Sequence, residues 1–284
     1  MKKGVKTTVI VIACAAAAVT AGCAVHCVGL REKSKKYNLI KLDTSSVTTP
    51  VPVREEKDVK LSEVTMHYAV YGTGEKAVIL IHGNGNSHKT LEELATYLAN
   101  GYTVYAPDSR CHGQSSDPGE ISYKLMAKDI SEFITALGLD KPYVLGHSDG
   151  GITALTLASE YPQLLSGVVS CGANSVPSAL KPYFTVAVRA TNIFKPDKLN
   201  DMMLTLPDFT AEDFARITVP TYVVAGEYDI VRLSDTVYIH NSIKNSKIAI
   251  IKSANHCSYV SEDGRQGCAL ALMCFDEFEK EGDR

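Results

Sequence analysis

The stretch Pro142-Tyr143-Val144-Leu145-Gly146-His147-Ser148-Asp149-Gly150-Gly151-Ile152-Thr153-Ala154 decides the reading of this chain. Its first part is a short apolar run of the kind buried on both faces of a sheet, and from residue 152 to 161 apolar residues recur at helical spacing. Between the two stands Gly-x-Ser-x-Gly, residues 146–150. In a strand–turn–helix setting the glycines let strand and helix backbones approach closely, while the serine is held in a strained turn with its hydroxyl exposed. A serine N-cap would explain one polar residue, but not two flanking glycines followed by Gly151. Ser148 is the candidate nucleophile.

Outward from this stretch the same alternation continues. Short apolar runs occur at residues 77–81, 103–105, 167–169, 221–224 and 248–251, and residues 64–71 alternate in β fashion before Gly72-Thr73-Gly74. Helical periods fill the intervals at 91–98, 125–137, 233–243 and 267–278. Strands alternating with helices predict an α/β fold with a mostly parallel sheet covered on both faces and right-handed crossovers. Active groups in such sheets gather at the carboxyl ends of the strands. One interval breaks the pattern: residues 172–220 carry Pro177, Pro182, Pro196 and Pro207 around two helical pieces, and roughly 173–216 is expected to form a helical cap.

A serine hydroxyl needs a base, and the base needs an orienting acid. His256 stands in Ser253-Ala254-Asn255-His256, on a loop just past the last apolar strand. The other histidines fit less well: His26 lies in an apolar N-terminal tract, His67 inside a strand, His240 in a helix and His147 beside the serine, while His82, His88 and His112 precede it in segments better explained otherwise. Asp229 follows the strand at 221–225 through Gly226-Glu227-Tyr228; its competitors are Glu227, read as a turn residue, and Asp235, read as an exposed helix position. The two backbone donors of an oxyanion site are expected at Asp149, on a helix N-terminus, and at Asn84 in His82-Gly83-Asn84-Gly85.

With these residues in view, the body from about 64 to 278 resembles the α/β-hydrolases, in particular the serine hydrolase group that includes lactonases, bromoperoxidase-like enzymes and carbon–carbon bond hydrolases. The stretches that carry the likeness are Ile81 to Gly85, Asp108-Ser109-Arg110-Cys111-His112-Gly113-Gln114-Ser115, Gly146 to Gly151, Gly226 to Asp229 and Asn255-His256. The chain order Ser148, Asp229, His256 is the order of that fold. The resemblance implies an eight-stranded sheet, a cap after the sixth strand, and acyl chemistry that needs neither cofactor nor metal. Cys111 stands where relatives carry glycine, so the loop before His112 is expected to be less compact, and a Cys111–Cys257 bridge is weighed against separate thiols. The cap is also shorter than the four-helix lids of many relatives.

The resemblance implies a hydrolase of small or medium acyl, aryl or lactone esters. A carbon–carbon bond hydrolase using the same triad is the alternative, and a ligand-binding protein without turnover is a third reading. Dehalogenase and epoxide hydrolase chemistry in this fold generally uses an aspartate nucleophile, which Ser148 replaces. Prolyl-peptidase relatives carry a tryptophan after the serine, and this chain has no Trp.

The ends of the sequence differ from its body. At 45% apolar and 21% charged residues the composition is globular, but the net charge of −3 is uneven. Through Lys36 there are seven basic residues and one acid, or +6, leaving 22 basic against 31 acidic residues, or −9, for the rest. A body of that sign, with no basic stripe, excludes a nucleic-acid partner. Residues 7–30 contain no Asp, Glu, Lys or Arg and are long enough to cross a bilayer. Residues 1–36 are expected to form a membrane anchor or signal segment, with a lipoprotein signal at Cys23 or a cleaved secretory signal as alternatives, and the body outside the cytoplasm. Residues 37–60, with Thr48-Thr49-Pro50-Val51-Pro52, read as a tether, and 61–284 as the hydrolase domain. No C-x-x-C and no Cys/His spacing suggests zinc. The oligomeric state is left open.

Overall fold

A computed structural model of the chain describes residues 39–282. Among the described residues nine strands form one sheet: β1 (Leu39–Ile40), β2 (Val53–Lys60), β3 (Thr65–Tyr71), β4 (Lys76–Ile81), β5 (Tyr102–Pro107), β6 (Tyr143–His147), β7 (Gly167–Cys171), β8 (Thr221–Tyr228) and β9 (Ser246–Asn255). Their order is β1-β9-β8-β7-β6-β4-β5-β3-β2. Pairing is parallel from β1 through to β5, and antiparallel where β3 joins β5 and where β2 joins β3.

Period-2 alternation puts a core on each face. In β4, Val78 and Leu80 join one cluster while Ile79 and Ile81 join the other. The first is closed by α1 (Glu92–Leu98) and α8 (Gly264–Gly282), through Leu94, Leu98, Phe275 and Phe278. The second is closed by α2 (Tyr123–Ala136), α3 (Asp149–Glu160) and α7 (Leu233–Ser242), through Phe133, Leu155 and Ile239. Strands covered on both sides are the reason their sequence runs are continuously apolar.

The sheet has nine strands rather than the expected eight, because residues 37–60 are not simply a tether. Ile40 pairs with Ile251, Val47 is buried in the core, and Val51 N–H donates to Thr96 O at 2.8 Å. Val53–Lys60 runs antiparallel along β3 in the register Asp58–His67. Its charged side chains protect an edge strand from pairing with other chains, and they hid the strand from a reading based on apolar periodicity.

Between β7 and β8 lie a 3-10 turn (Pro177–Ala179), α4 (Pro182–Phe194), α5 (Lys198–Thr205) and α6 (Ala211–Ala215). This is the expected cap, inserted after the seventh strand once the extra edge strand is counted. Phe214 of α6 is fully buried in the body, whereas Val186, Ile193 and Phe194 of α4 are exposed. The N-terminal tract expected to enter a membrane lies outside the described residues. Among the described residues no helix is long and apolar enough to cross a membrane.

Candidate active site

Ser148 sits between β6 and α3 with φ 58° and ψ −120°, in the left-handed region that non-glycine residues avoid. The turn is over-determined by its surroundings: Ser148 N–H donates to Cys171 O at 2.8 Å, and a Cβ on Gly150 would come within 2.0 Å of Ile81 O. Gly150 is thus required for α3 to start against the end of β4.

Asp229 lies one residue past β8. Its carboxylate accepts N–H groups of Gly226 (3.1 Å) and Val231 (3.2 Å), which fold the turn around the side chain and aim it at β9. His256 follows β9, with its Nδ1 2.6 Å from Asp229 Oδ1. The next turn is braced by Asn255 Oδ1, which accepts from the N–H groups of Cys257 and Ser258. Burial disfavours an ionised Asp229, but the nearby His256, their hydrogen bond and the two backbone donors prevail and hold its pKa at about 2. The carboxylate takes the Nδ1–H, which leaves Nε2 as the basic face of the imidazole.

The competing acids are accounted for. Glu227 lies within β8 rather than in a turn, and its carboxylate accepts Ser253 N–H of β9 at 2.9 Å. Asp235 is buried rather than exposed: it accepts the N–H of Ser175 at 2.8 Å and the Ser175 hydroxyl, tying the start of the cap to α7. Its partner is 60 residues away in sequence, which no local pattern reveals.

Ser148, Asp229 and His256 thus gather at the carboxyl ends of β6, β8 and β9. No hydrogen bond joins the Ser148 hydroxyl to His256 among the described residues, as is common before a substrate seats the pair. The imidazole rests over Gly172, which follows Cys171, the acceptor of Ser148 N–H. A Cβ on Gly172 (φ +65°) would stand 2.7 Å from His256 Cε1. Gly172→Ala is therefore expected to push the ring off its place, lowering kcat/KM about 100-fold, as a displacement near 1 Å does. Circular dichroism should show the variant folded.

Asn84 and Asp149 are also brought together. Asn84 Nδ2 donates to Asp149 Oδ2 (2.9 Å) and to Leu199 O of α5 (3.0 Å), so one side chain links the loop after β4, the elbow helix and the cap. Tyr123 OH donates to Asp149 Oδ1 at 3.0 Å. Burial raises the pKa of Asp149 against these two donors. The backbone N–H groups of Asn84 and Asp149 have no acceptor among the described residues. Asn84→Ala should leave a buried carboxylate oxygen short of a donor and cost about 1–3 kcal/mol, read by urea denaturation.

Four further residues shape the site without a sequence signal. His147 Nε2–H donates to His256 O at 2.8 Å, so its Nδ1 is left without a partner among the described residues; burial lowers its pKa to about 4. Tyr259, buried beside Gly172, also has no partner for its hydroxyl among those residues. Lys181 Nζ donates to Asp229 O. His82 accepts Ser109 N–H at Nε2, so its Nδ1–H donates to Gly83 O (2.8 Å) and fixes the loop that carries Asn84.

Cys111 and Cys257 are free thiols, not a bridge. Cys111 has φ 63°, which is why glycine suits the position, and yet the loop closes through Cys111 N–H to Ser116 O and His112 N–H to Ser109 O. A cleft of about 400 Å³ lies between α4, α5 and the loop after β8, lined by Leu180, Thr185, Arg189, Leu204 and Arg232; none of the five candidate residues lines it.

The family described as alpha/beta hydrolase fold matches residues 76–211. A proline iminopeptidase of Saccharolobus solfataricus is 27% identical over 273 residues, covering 73% of this chain and 88% of that protein. Two solved structures share the fold. A serine hydrolase from the bacterium Cycloclasticus zankles aligns with a TM-score of 0.66 at 16% identity, over 78% of this chain and 98% of that one. A membrane phospholipase A described as a bacterial virulence factor also aligns with a TM-score of 0.66, at 17% identity, over 98% and 99% of the two chains. The chain has the alpha/beta hydrolase fold, and the hydrolases among its relatives support an enzyme of the hydrolase class.

Proposed function

We propose that the chain is a serine hydrolase that cleaves carboxylic esters of small or medium acyl, aryl or lactone type through an acyl-enzyme. The observation that carries this reading is the pairing of buried Asp229 with part-buried His256 at 2.6 Å, set at the same carboxyl end of the sheet as a serine strained to φ 58°. His256 Nε2 takes the proton of Ser148 as Oγ attacks the ester carbonyl, and Asp229 holds the imidazole in the Nδ1–H tautomer and stabilises its charged form. The tetrahedral oxyanion receives the N–H groups of Asn84 and Asp149, each donor worth roughly 3 kcal/mol of transition-state stabilisation. His256 then protonates the leaving alcohol, and water repeats the cycle on the acyl group.

The expectation for residues 1–36 stands beside this as a proposal: the basic-flanked apolar tract holds the enzyme at a membrane, with the body outside the cytoplasm. The exposed Val186, Ile193 and Phe194 of the cap suit a location next to lipid.

A p-nitrophenyl ester series of rising acyl length, with a prolyl-anilide and a vinylogous diketone alongside, tests the substrate class. Turnover of the esters is expected. Turnover of the diketone or the anilide alone would replace an ester substrate by a carbon–carbon or amide one.

A further inference from the structure

At the far edge of the sheet, four strands from β6, two histidines and three carboxylates converge. Glu56 and Asp58 are two apart on β2 and share a face; in the antiparallel register Asp58 lies opposite His67 of β3 and Glu56 opposite Ala69. His88, buried, opens the 3-10 turn His88–Leu91 after β4 and meets them from the side. One nitrogen from each imidazole and a Glu56 carboxylate oxygen all lie within 4.8 Å of one another. His67 Nε2 is 3.5 Å and His88 Nε2 3.8 Å from Glu56 oxygens. Ligands about 2.0–2.2 Å from a tetrahedral zinc stand roughly 3.4 Å apart, so small side-chain movements would close the set.

The second layer makes the arrangement specific. Asp58 Oδ1 is 2.9 Å from His67 Nδ1, and Asp108 Oδ1 is 2.8 Å from His88 Nδ1. Each carboxylate takes the Nδ1–H, so that Nε2, once deprotonated, presents its lone pair toward Glu56. This is the carboxylate–histidine–metal relay that orients ligating imidazoles. At His67 that lone pair is met by Gln114 Nε2 at 3.0 Å, a neutral donor that a cation would displace. Asp108 is itself fixed by the N–H groups of His88 and Gln114, both at 2.7 Å. Three carboxylates around two imidazoles of this tautomer favour a cation, and nitrogen donors favour a transition metal over magnesium or calcium.

We propose that Glu56, His67 and His88 form a structural site for a divalent transition-metal ion of the zinc type, which fastens the charged edge strand β2 to β3 and to the turn after β4. The ligands come from three separate segments that only sheet pairing unites, so no spacing in the sequence announces them.

The test uses the full-length chain in mild detergent, stripped with a chelator and titrated with Zn²⁺ against a competing chelator. One zinc per chain is expected, with millimolar Mg²⁺ unable to compete. His67→Ala and His88→Ala should each weaken binding at least about 100-fold, and Asp58→Asn about 10- to 100-fold. Glu56→Gln changes a side chain that is 43% exposed, so it keeps the fold intact by circular dichroism while lowering affinity. Stripping should leave ester turnover unchanged. Absence of stoichiometric binding overturns the site, as does one-zinc binding that Glu56→Gln and Asp58→Asn leave untouched.

Discussion

Ser148→Ala should lower kcat for p-nitrophenyl esters by at least about 10⁴-fold, with KM changed little. The loss falls on kcat because the hydroxyl forms a bond only in the reacting complex, whereas the proposed oxyanion donors are left in place. The variant should be at least as stable as the parent protein: alanine occupies φ 58° no more comfortably than serine, and the hydroxyl removed has no hydrogen-bond partner in the described structure on which the fold depends. Steady-state kinetics and a thermal melt on the same preparation separate the two effects. A residual rate within tenfold of the parent would remove Ser148 from the chemistry.

Asp229→Asn should be nearly as damaging, at about 10³- to 10⁴-fold in kcat. The amide cannot stabilise the charged imidazole and favours the wrong tautomer; its size is kept, but the N–H groups of Gly226 and Val231 bond different carboxylate oxygens, so only one of the two retains its acceptor. The same substitution has a signature in stability. The Asp229 carboxyl has a folded pKa of about 2 against an ordinary value of 3.8, so the folded state prefers the ionised form. That preference stabilises the fold by about 2 kcal/mol above the ordinary value and is lost as pH falls through the interval toward 2. The stability difference between the parent and Asp229→Asn, from urea denaturation, should therefore be constant from pH 7 to about 5 and shrink below pH 4. A difference that grows on acidification would mean that the carboxyl is protonated more readily in the fold than out of it.

Much of this architecture is legible in the sequence for a physical reason. Strands covered on both faces must be apolar throughout, so β4 and β6 through β9 declare themselves, and the helices between them show the 3.6-residue period. The strand–turn–helix setting of Gly146 to Gly150 and the order Ser148, Asp229, His256 then place the candidate triad. What stays hidden has no such period. β2 is charged because it is an edge, and β1 is two residues long, so both read as linker. Asp235 looks like a surface helix residue because its partner Ser175 arrives from the cap. The brace that His147 provides, through His256 O, and the joint that Asn84 makes with Asp149 and Leu199 O depend on residues 65 to 115 positions apart. Their chemistry follows from the fold, not from the neighbouring letters.

The proposed chemistry rests on Ser148 being a nucleophile activated by His256. Treating the full-length protein with a fluorophosphonate probe and locating the adduct by peptide mass spectrometry tests it directly. One phosphonyl group per chain is expected, on the peptide containing Gly146-His147-Ser148-Asp149-Gly150, abolished in Ser148→Ala and slowed at least 100-fold in His256→Ala. An unlabelled protein, or an adduct on another residue that persists in Ser148→Ala, would contradict it.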